Sequence, residues 1–335
     1  MLNIKKIGFI VKLIISLCLI AWIFWKVNLD ETLRILYSVK IVYLFFGCIW
    51  ILLDRFLMSY RWNILLTAKN ISIPFLQIVK IYFIGTFSGN FLPSSIAPDA
   101  VRAYFASKYS SNTTDIVSSV VIDRILGLVS LAVIALFSIL FIFLDRGEIH
   151  RKALWVVLAT LFLVVVVLFS ERALSIIPLD KFRNFLSRWR EGVAYQSFEK
   201  FYISCNEYKK NLTDVWLVLV LSFIVQGLSI LAIYVLAQSV NVDISLWNLF
   251  IFVPLMNILI MVPVSIGGIG VQEGAFIYFF SQIGISTQAA LSVALLFRAV
   301  TVAGSLPGGV FYVIEGSGSR DVRAGVTISQ RGRKP

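Results

Sequence analysis

The chain reads as an all-α integral membrane protein: a polytopic helical bundle with two inverted repeats, each containing a re-entrant or broken-helix hairpin. Three observations lead there. The 335 residues are 59% hydrophobic and only 14% charged, which is more apolar surface than a soluble domain can hide. Apolar runs cover most of residues 7–315 and leave no room for a second globular domain. Two short segments, 170 residues apart, then interrupt those runs in the same way: Pro93-Ser94-Ser95-Ile96-Ala97-Pro98-Asp99 and Pro263-Val264-Ser265-Ile266-Gly267-Gly268.

The first apolar run is 7–27, with Lys5, Lys6 and Lys12 ahead of its core at 13–25. It ends Trp22-Ile23-Phe24-Trp25-Lys26 with no small-x-small cleavage site, so it is read as a retained span rather than a signal peptide. Further runs follow at 41–60, 73–92, 115–144, 153–170, 213–240, 246–263 and 287–315. Runs above 18 residues are long enough to cross a hydrocarbon core of about 30 Å. Two shorter stretches, 96–109 and 269–282, come just after the Pro-x-Ser-Ile breaks. Residues 316–335 form a basic tail expected to be disordered.

Lys and Arg set the orientation. The amino terminus is basic, loop 171–212 carries eight Lys/Arg, and the tail carries Arg320, Arg323, Arg331, Arg333 and Lys334. All three are placed in the cytoplasm of a multi-pass cell-membrane protein, with loop 61–72 on the same side. Segments 73–92 and 96–109 must then leave the cytoplasm and return, while 246–263 and 269–282 do the same from outside. The breaks become tips of hairpins entering from opposite faces, in units of about 41–144 and 213–315. Within the loop, Phe182, Phe185, Leu186, Trp189 and Val193 recur at helical spacing among charges, the pattern of an amphipathic helix on the membrane surface.

The net charge of +12 lies mostly beside apolar spans, so an anionic membrane surface, not nucleic acid, is its partner. Cys18, Cys48 and Cys205 are scattered and odd in number, and His150 is the single histidine. Neither a disulfide framework nor a metal site is expected, and no cofactor. Gly267-Gly268-Ile269-Gly270 lacks the strand, spacing and lysine of a nucleotide loop. Gly85-x-x-x-Gly89, Gly270-x-x-x-Gly274 and Gly304-x-x-x-Gly308 allow close helix packing. Pro254 and Pro307 are expected to kink or end their helices.

The candidate site follows from the breaks. Each leads to an acid, Asp99 or Glu273, and 25 residues later to an arginine, Arg124 or Arg298. Arg124 sits about nine residues, roughly 13 Å, into its helix, and Arg298 about eleven residues, roughly 16 Å, from the opposite face. An arginine at that depth costs on the order of 3 kcal/mol or more, so it faces a partner or a wet cavity. Asp123 cannot face its neighbour Arg124 and is expected to pair across the repeat. Lys80, Arg102 and Gln272 complete the polar set. Asn90, Pro93, Ser95, Pro263, Ser265, Gly267, Gly268 and Gly270 form the tips, whose meeting implies a cavity. Two roles stand open for the charges: guanidinium forks gripping an anionic group such as phosphate, or Arg–carboxylate pairs that only lock the structure. Asp54, Arg55 and Arg61 read as interfacial anchors.

These residues resemble a known group. Asn90-Phe91-Leu92-Pro93 through Asp99-x-x-Arg102, then Asp123-Arg124, then Pro263 through Gly267-Gly268-Ile269-Gly270-x-x-Glu273, then Arg298, look like the lysylphosphatidylglycerol synthase transmembrane-region family, whose members are often labelled flippase-like. The resemblance covers about 10–315. The first break departs from it: Ser94, Ser95, Ala97 and Pro98 stand where the family has glycines. In bifunctional members, a similar region moves aminoacylated phosphatidylglycerol and a soluble domain makes it. That domain is not expected here, so the resemblance implies translocation without synthesis. Other relatives are associated with polyprenyl- or dolichol-linked sugar pathways.

The reading is flippase-like translocation of a phospholipid or lipid-linked headgroup through a midplane cavity, without enzymatic turnover. Its alternatives are a membrane-embedded transferase on a polyprenyl-phosphate sugar, with Asp99 or Glu273 as base, and a scaffold for a biosynthetic complex. The expected ligand is a membrane lipid, an anionic phospholipid or a lipid-linked headgroup. Self-association into a homo-oligomer and contact with a biosynthetic enzyme both stay open.

Overall fold

A computed structural model describes residues 4–92, 97–110, 112–144, 203–205, 207–261 and 265–331. Among these residues the chain is helical, with no strand. The helices are α1 (Ile4–Lys26), α2 (Leu29–Tyr37), α3 (Ile41–Thr67), α4 (Phe75–Phe91), α5 (Ala97–Ala106), α6 (Thr113–Leu144), α7 (Leu212–Ser239), α8 (Leu246–Met261), α9 (Val271–Ser281) and α10 (Thr287–Arg331). Four stretches, Ile41–Thr67, Thr113–Ser138, Leu212–Ser239 and Thr287–Glu315, are long and apolar enough to cross a bilayer. The chain is an all-α membrane protein. The expected span 153–170, the amphipathic stretch around Phe182–Val193 and the tip residues Pro93, Ser95 and Pro263 lie outside the described residues.

Local chemistry explains the element ends. Asn28 caps α2, its side chain accepting from the backbone N–H of Asp30 and Glu31, and those two acids suit the positive end of a helix. The helices α3 and α7 stop alike. Asn70 (φ 56) and Asn241 (φ 54) take left-handed backbone, which asparagine tolerates better than most residues. The next N–H reaches five residues back in each case, Ile71 to Leu66 O and Val242 to Ala237 O, satisfying orphan carbonyls.

The helices α3 and α7 lie antiparallel along their whole length. At one end Lys40 N donates to Ser239 O (3.1 Å) and Lys40 Nζ to Asn241 Oδ1 (2.9 Å). At the other end Asn211 Nδ2 donates to Ala68 O (3.2 Å). Around this axis α4 packs on α10 and α6 on α8; α5 bridges α4 and α6, and α9 bridges α8 and α10. Exchanging α3–α6 for α7–α10 maps every one of these packings onto another. One core, around Trp62, Ile78, Ile81 and Phe105, belongs to the first set of helices. A larger one, around Leu236, Met256, Phe276 and Phe280, belongs mainly to the second. A third, with Leu65, Leu126 and Val218, joins α3, α6 and α7.

The outer faces are apolar. On α3, Val42, Phe45, Phe46, Ile49, Leu52, Leu53 and Phe56 are exposed at helical spacing, as a hydrocarbon solvent requires. Small residues set the closest approaches. A Cβ on Gly308 of α10 would fall 2.0 Å from the backbone oxygen of Phe83 on α4, and one on Gly304 would fall 2.8 Å from Ile51 of α3.

Several sequence boundaries are corrected. The second span does not end at residue 60 but runs to Thr67, because Arg61 is neutralised inside the bundle, as described below. Pro254 and Pro307 end nothing; α8 and α10 continue through them, since a membrane helix tolerates one lost hydrogen bond when its neighbours compensate. The helix α10 extends to Arg331 where an unstructured tail is expected, and no proline interrupts 308–331. The short helix α2 has no counterpart in the sequence reading.

Candidate functional site

Asp99 is the third residue of α5 and Glu273 the third of α9. Arg124 is the twelfth residue of α6 and Arg298 the twelfth of α10. The equal sequence spacing therefore reflects equal placement on corresponding helices, and each acid meets its own arginine.

In the first set the charges form a continuous chain. Arg124 Nη1 donates to Asp99 Oδ2. Asp99 Oδ1 accepts from Arg102 Nη2 one turn along α5 (2.6 Å). Arg102 Nη1 donates to Asp123 Oδ2 (3.2 Å), and Arg61 Nε donates to Asp123 Oδ1 (2.7 Å). Arg61 Nη1 reaches Ser222 Oγ on α7 (3.0 Å), where the chain of charges touches the second set of helices. The Arg102 guanidinium lies over the rings of Tyr82 (4.6 Å) and Trp62 (5.1 Å), which suits a planar cation with little water around it. Gly85 makes room for this: a Cβ there would be 2.7 Å from Arg102 Cγ and 2.9 Å from Pro98 O.

Burial along the chain is graded. The side chains of Arg61, Arg102 and Asp123 are at most 5% exposed, whereas Asp99 is 17% and Arg124 28% exposed. Among the described residues this set holds three guanidinium groups and two carboxylates.

The expectation for Asp123 is corrected. It does not pair across the repeat but binds Arg61 and Arg102 from its own set, because α3 brings Arg61 beside it. Arg61 is likewise no interfacial anchor, being buried at 3% exposure. A signal for it was present: the apolar pattern resumes after it at Trp62, Ile64, Leu65 and Leu66.

The second set is a closed clamp. Arg298 Nε donates to Glu273 Oε1 (2.5 Å) and Nη2 to Glu273 Oε2 (3.3 Å). The same guanidinium donates to Gly267 O (3.3 Å) and Gly268 O (3.1 Å), while Glu273 Oε2 accepts from Gly270 N (2.7 Å). Gly267, Gly268 and Gly270 have φ of 58, 70 and 82°, a left-handed run that favours glycine. The tip also leans on α1: Ile266 N donates to Ser16 Oγ (3.0 Å), and a Cβ on Gly270 would be 2.5 Å from Leu19 Cβ.

The end of α4 touches this tip. The carbonyl oxygen of Asn90 lies 3.4 Å from where a Gly267 Cβ would sit, and Asn90 Nδ2 donates to Ser305 Oγ (2.8 Å). Ser265 Oγ and Gln272 Nε2 are buried without a hydrogen-bond partner. Lys80 is half-buried on α4 and makes no hydrogen bond or ion pair recorded among the described residues, so the structure does not bring it into the chain of charges.

A separate polar cluster lies at the end of α3. Lys69 Nζ, 4% exposed, pairs with Glu207 (2.7 Å) and Asp115 (3.7 Å), above the Tyr208 ring (4.9 Å). The hydrogen bond from Lys69 holds the Glu207 carboxyl below its ordinary range. Burial pushes the nearby Cys205 thiol up to about 11.

Comparison with known proteins agrees with this architecture. The model of the family described as "Lysylphosphatidylglycerol synthase TM region" matches residues 9–308. UPF0104 membrane protein PH1989 of Pyrococcus horikoshii is 24% identical over 314 residues, covering 86% of this chain and 91% of the relative. A UPF0104 membrane protein of Methanothermobacter thermautotrophicus is 24% identical over 265 residues, covering 73% and 77%. With nearly the whole helical bundle and both charge sets inside the matched range, the chain belongs to the lysylphosphatidylglycerol synthase transmembrane-region family.

Proposed function

We propose that the protein is a carrier that moves a phosphate-bearing lipid headgroup between bilayer leaflets, leaving the acyl tails in lipid. The observation that carries this reading is the first charge set. Arg61, Asp123 and Arg124 lie on helices long and apolar enough to span the membrane, Asp99 and Arg102 on the short helix α5 between them, and the set opens at Arg124 and Asp99. Guanidinium suits phosphate because its planar fork can donate two parallel bonds.

The inverted relation of the two sets is supported by the antiparallel α3–α7 pair and by the matched packings around it; units related in this way can open alternately to each face. Re-entrant hairpins are supported by the short second arms. At 10 and 11 residues, α5 and α9 reach about 15–17 Å, roughly half the hydrocarbon core. Both termini belong in the cytoplasm on the strength of their Lys and Arg.

The test uses purified full-length protein in liposomes containing fluorescent phosphatidylglycerol, phosphatidylethanolamine or polyprenyl-phosphate probes, with a bleach that cannot cross the bilayer. Wild type is expected to expose inner-leaflet probe, and Arg124→Ala to slow this about tenfold, the loss of one charge-assisted contact. The probe is expected to come back unchanged in mass, which separates a carrier from a transferase. Bleaching no faster than in protein-free liposomes, for all three probes, refutes the proposal.

A further inference from the structure

We infer that α2 is an interfacial helix, lying in the headgroup region of the leaflet at which α1 ends and α3 begins, with Leu29, Leu33 and Tyr37 seated in the acyl boundary. This seating is independent of what the protein carries. On a helix that turns about 100° per residue, Thr32, Ile35 and Leu36 share one arc of roughly 100°, Leu29, Leu33 and Tyr37 a second of roughly 80°, and Asp30, Glu31 and Arg34 a third of roughly 100°. The first arc faces the bundle. Thr32 is buried, Ile35 and Leu36 pack on the larger core, and Ser292 Oγ of α10 donates to Thr32 O (3.5 Å). The third arc is charged and exposed. The second is apolar and equally open, with Leu29 44%, Leu33 50% and Tyr37 88% exposed. A helix with protein on one flank, an apolar arc beside it and a charged arc opposite satisfies all three only when its axis lies in the plane between lipid and water.

The apolar arc is continuous with a surface that already faces lipid. Ile41 and Val42, at the start of α3, are exposed and lead into Phe45, Phe46 and Ile49 on its outer face. On the other side Trp25, one residue before the end of α1, is exposed. Lys26 and Lys40 bracket the whole segment. Tryptophan and tyrosine collect where hydrocarbon meets headgroups, and lysine there reaches its ammonium into water. A second copy of the chain is a poorer cover. Interfaces between copies bury on the order of 1,600 Å² in total, with about 20 residues a side, and three side chains along one short helix fall far below that.

The experiment places a nitroxide on single cysteines introduced into the full chain in liposomes. Leu29→Cys, Leu33→Cys and Tyr37→Cys sample the apolar arc, Glu31→Cys and Arg34→Cys the charged arc, and Phe45→Cys on α3 serves as the hydrocarbon reference. The spectrum of the unsubstituted chain, labelled at its native cysteines, is subtracted. Collisions with oxygen, which concentrates in hydrocarbon, are compared with collisions with chromium oxalate, a charged chelate present on both sides of the membrane. The oxygen-to-chelate ratio is expected to be about tenfold higher at sites 29, 33 and 37 than at sites 31 and 34, because hydrocarbon excludes charge, and highest at site 45. Ratios at 29, 33 and 37 no higher than at 31 and 34 would put the whole helix in water and overturn the inference. Shielding of those three sites from both reagents would reveal a protein cover and overturn it as well, and dipolar broadening between labels would then identify that cover as a second copy.

Discussion

Asp123→Asn tests the logic of the buried charges most directly. The Asp123 carboxylate is 2% exposed and accepts from Arg61 at 2.7 Å and Arg102 at 3.2 Å, on side chains 4% and 5% exposed. An amide of the same size keeps the packing but withdraws the negative charge that lies between the Arg61 and Arg102 guanidinium groups. Breaking a buried pair in this way costs about 3–5 kcal/mol, mostly from the charge left unpaired. A unit pair near 4 Å at an effective dielectric of 20 gives about 4 kcal/mol, the same scale. The assay is thermal unfolding of the detergent-solubilised chain, followed by survival of the monodisperse peak on gel filtration. The midpoint is expected to fall by on the order of 10 °C. Arg61→Met/Asp123→Asn removes one charge of each sign and leaves the net charge of the set as in wild type, so it is expected to recover much of the loss, with a coupling energy of about 1–3 kcal/mol. A shift below 2 °C in the single variant, or a double variant no better than the single, refutes the claim that charge neutralisation holds α3, α5 and α6 together.

Three further outcomes are expected. Gly308→Ala places a methyl group 2.0 Å from a main-chain oxygen that no side-chain rotation can move, whereas Gly274→Ala meets nothing within 4 Å. The first is expected to destabilise by about 1–3 kcal/mol and the second to be neutral or to stabilise by up to about 1 kcal/mol, measured in parallel melts. The lowered Glu207 carboxyl contributes stability above its unfolded pKa, and that contribution is lost as pH falls through the lower folded value. The group is 48% exposed, so screening limits the gain to a few tenths of a kcal/mol. Glu207→Gln is expected to melt slightly lower than wild type at neutral pH, and the two curves to converge below the ordinary carboxylate range. Cys205, 4% exposed with its thiol raised to about 11, is expected to resist maleimide at neutral pH until the chain is unfolded in SDS, as read by peptide mass spectrometry.

Much of the architecture was legible because a bilayer imposes a simple rule: long apolar runs become helices. The runs at 115–144 and 213–240 match α6 and α7 within two residues, and both stretches after the breaks are helical. The equal acid-to-arginine spacing marked equal placement, each acid third in its helix and each arginine twelfth, but whether acid and arginine touch was left open by the sequence. Arg61 was read as an interfacial anchor because a charge near the end of an apolar run looks like an interface residue when its partner is 62 positions away.

The sequence by itself determined the helical membrane class, the short helices that follow the two breaks, and the residue types able to hold an anion. Only the tertiary structure decided how those charges are distributed. Charge balance depends on which side chains share a space, and α3 delivers Arg61 to Asp123 while, among the described residues, no second acid joins Glu273 and Arg298. Two motifs that look alike in one dimension therefore become a chain of five charged side chains in one half and a single arginine–carboxylate clamp in the other. In a medium that screens charge weakly, the partners that the fold brings to each arginine separate the two.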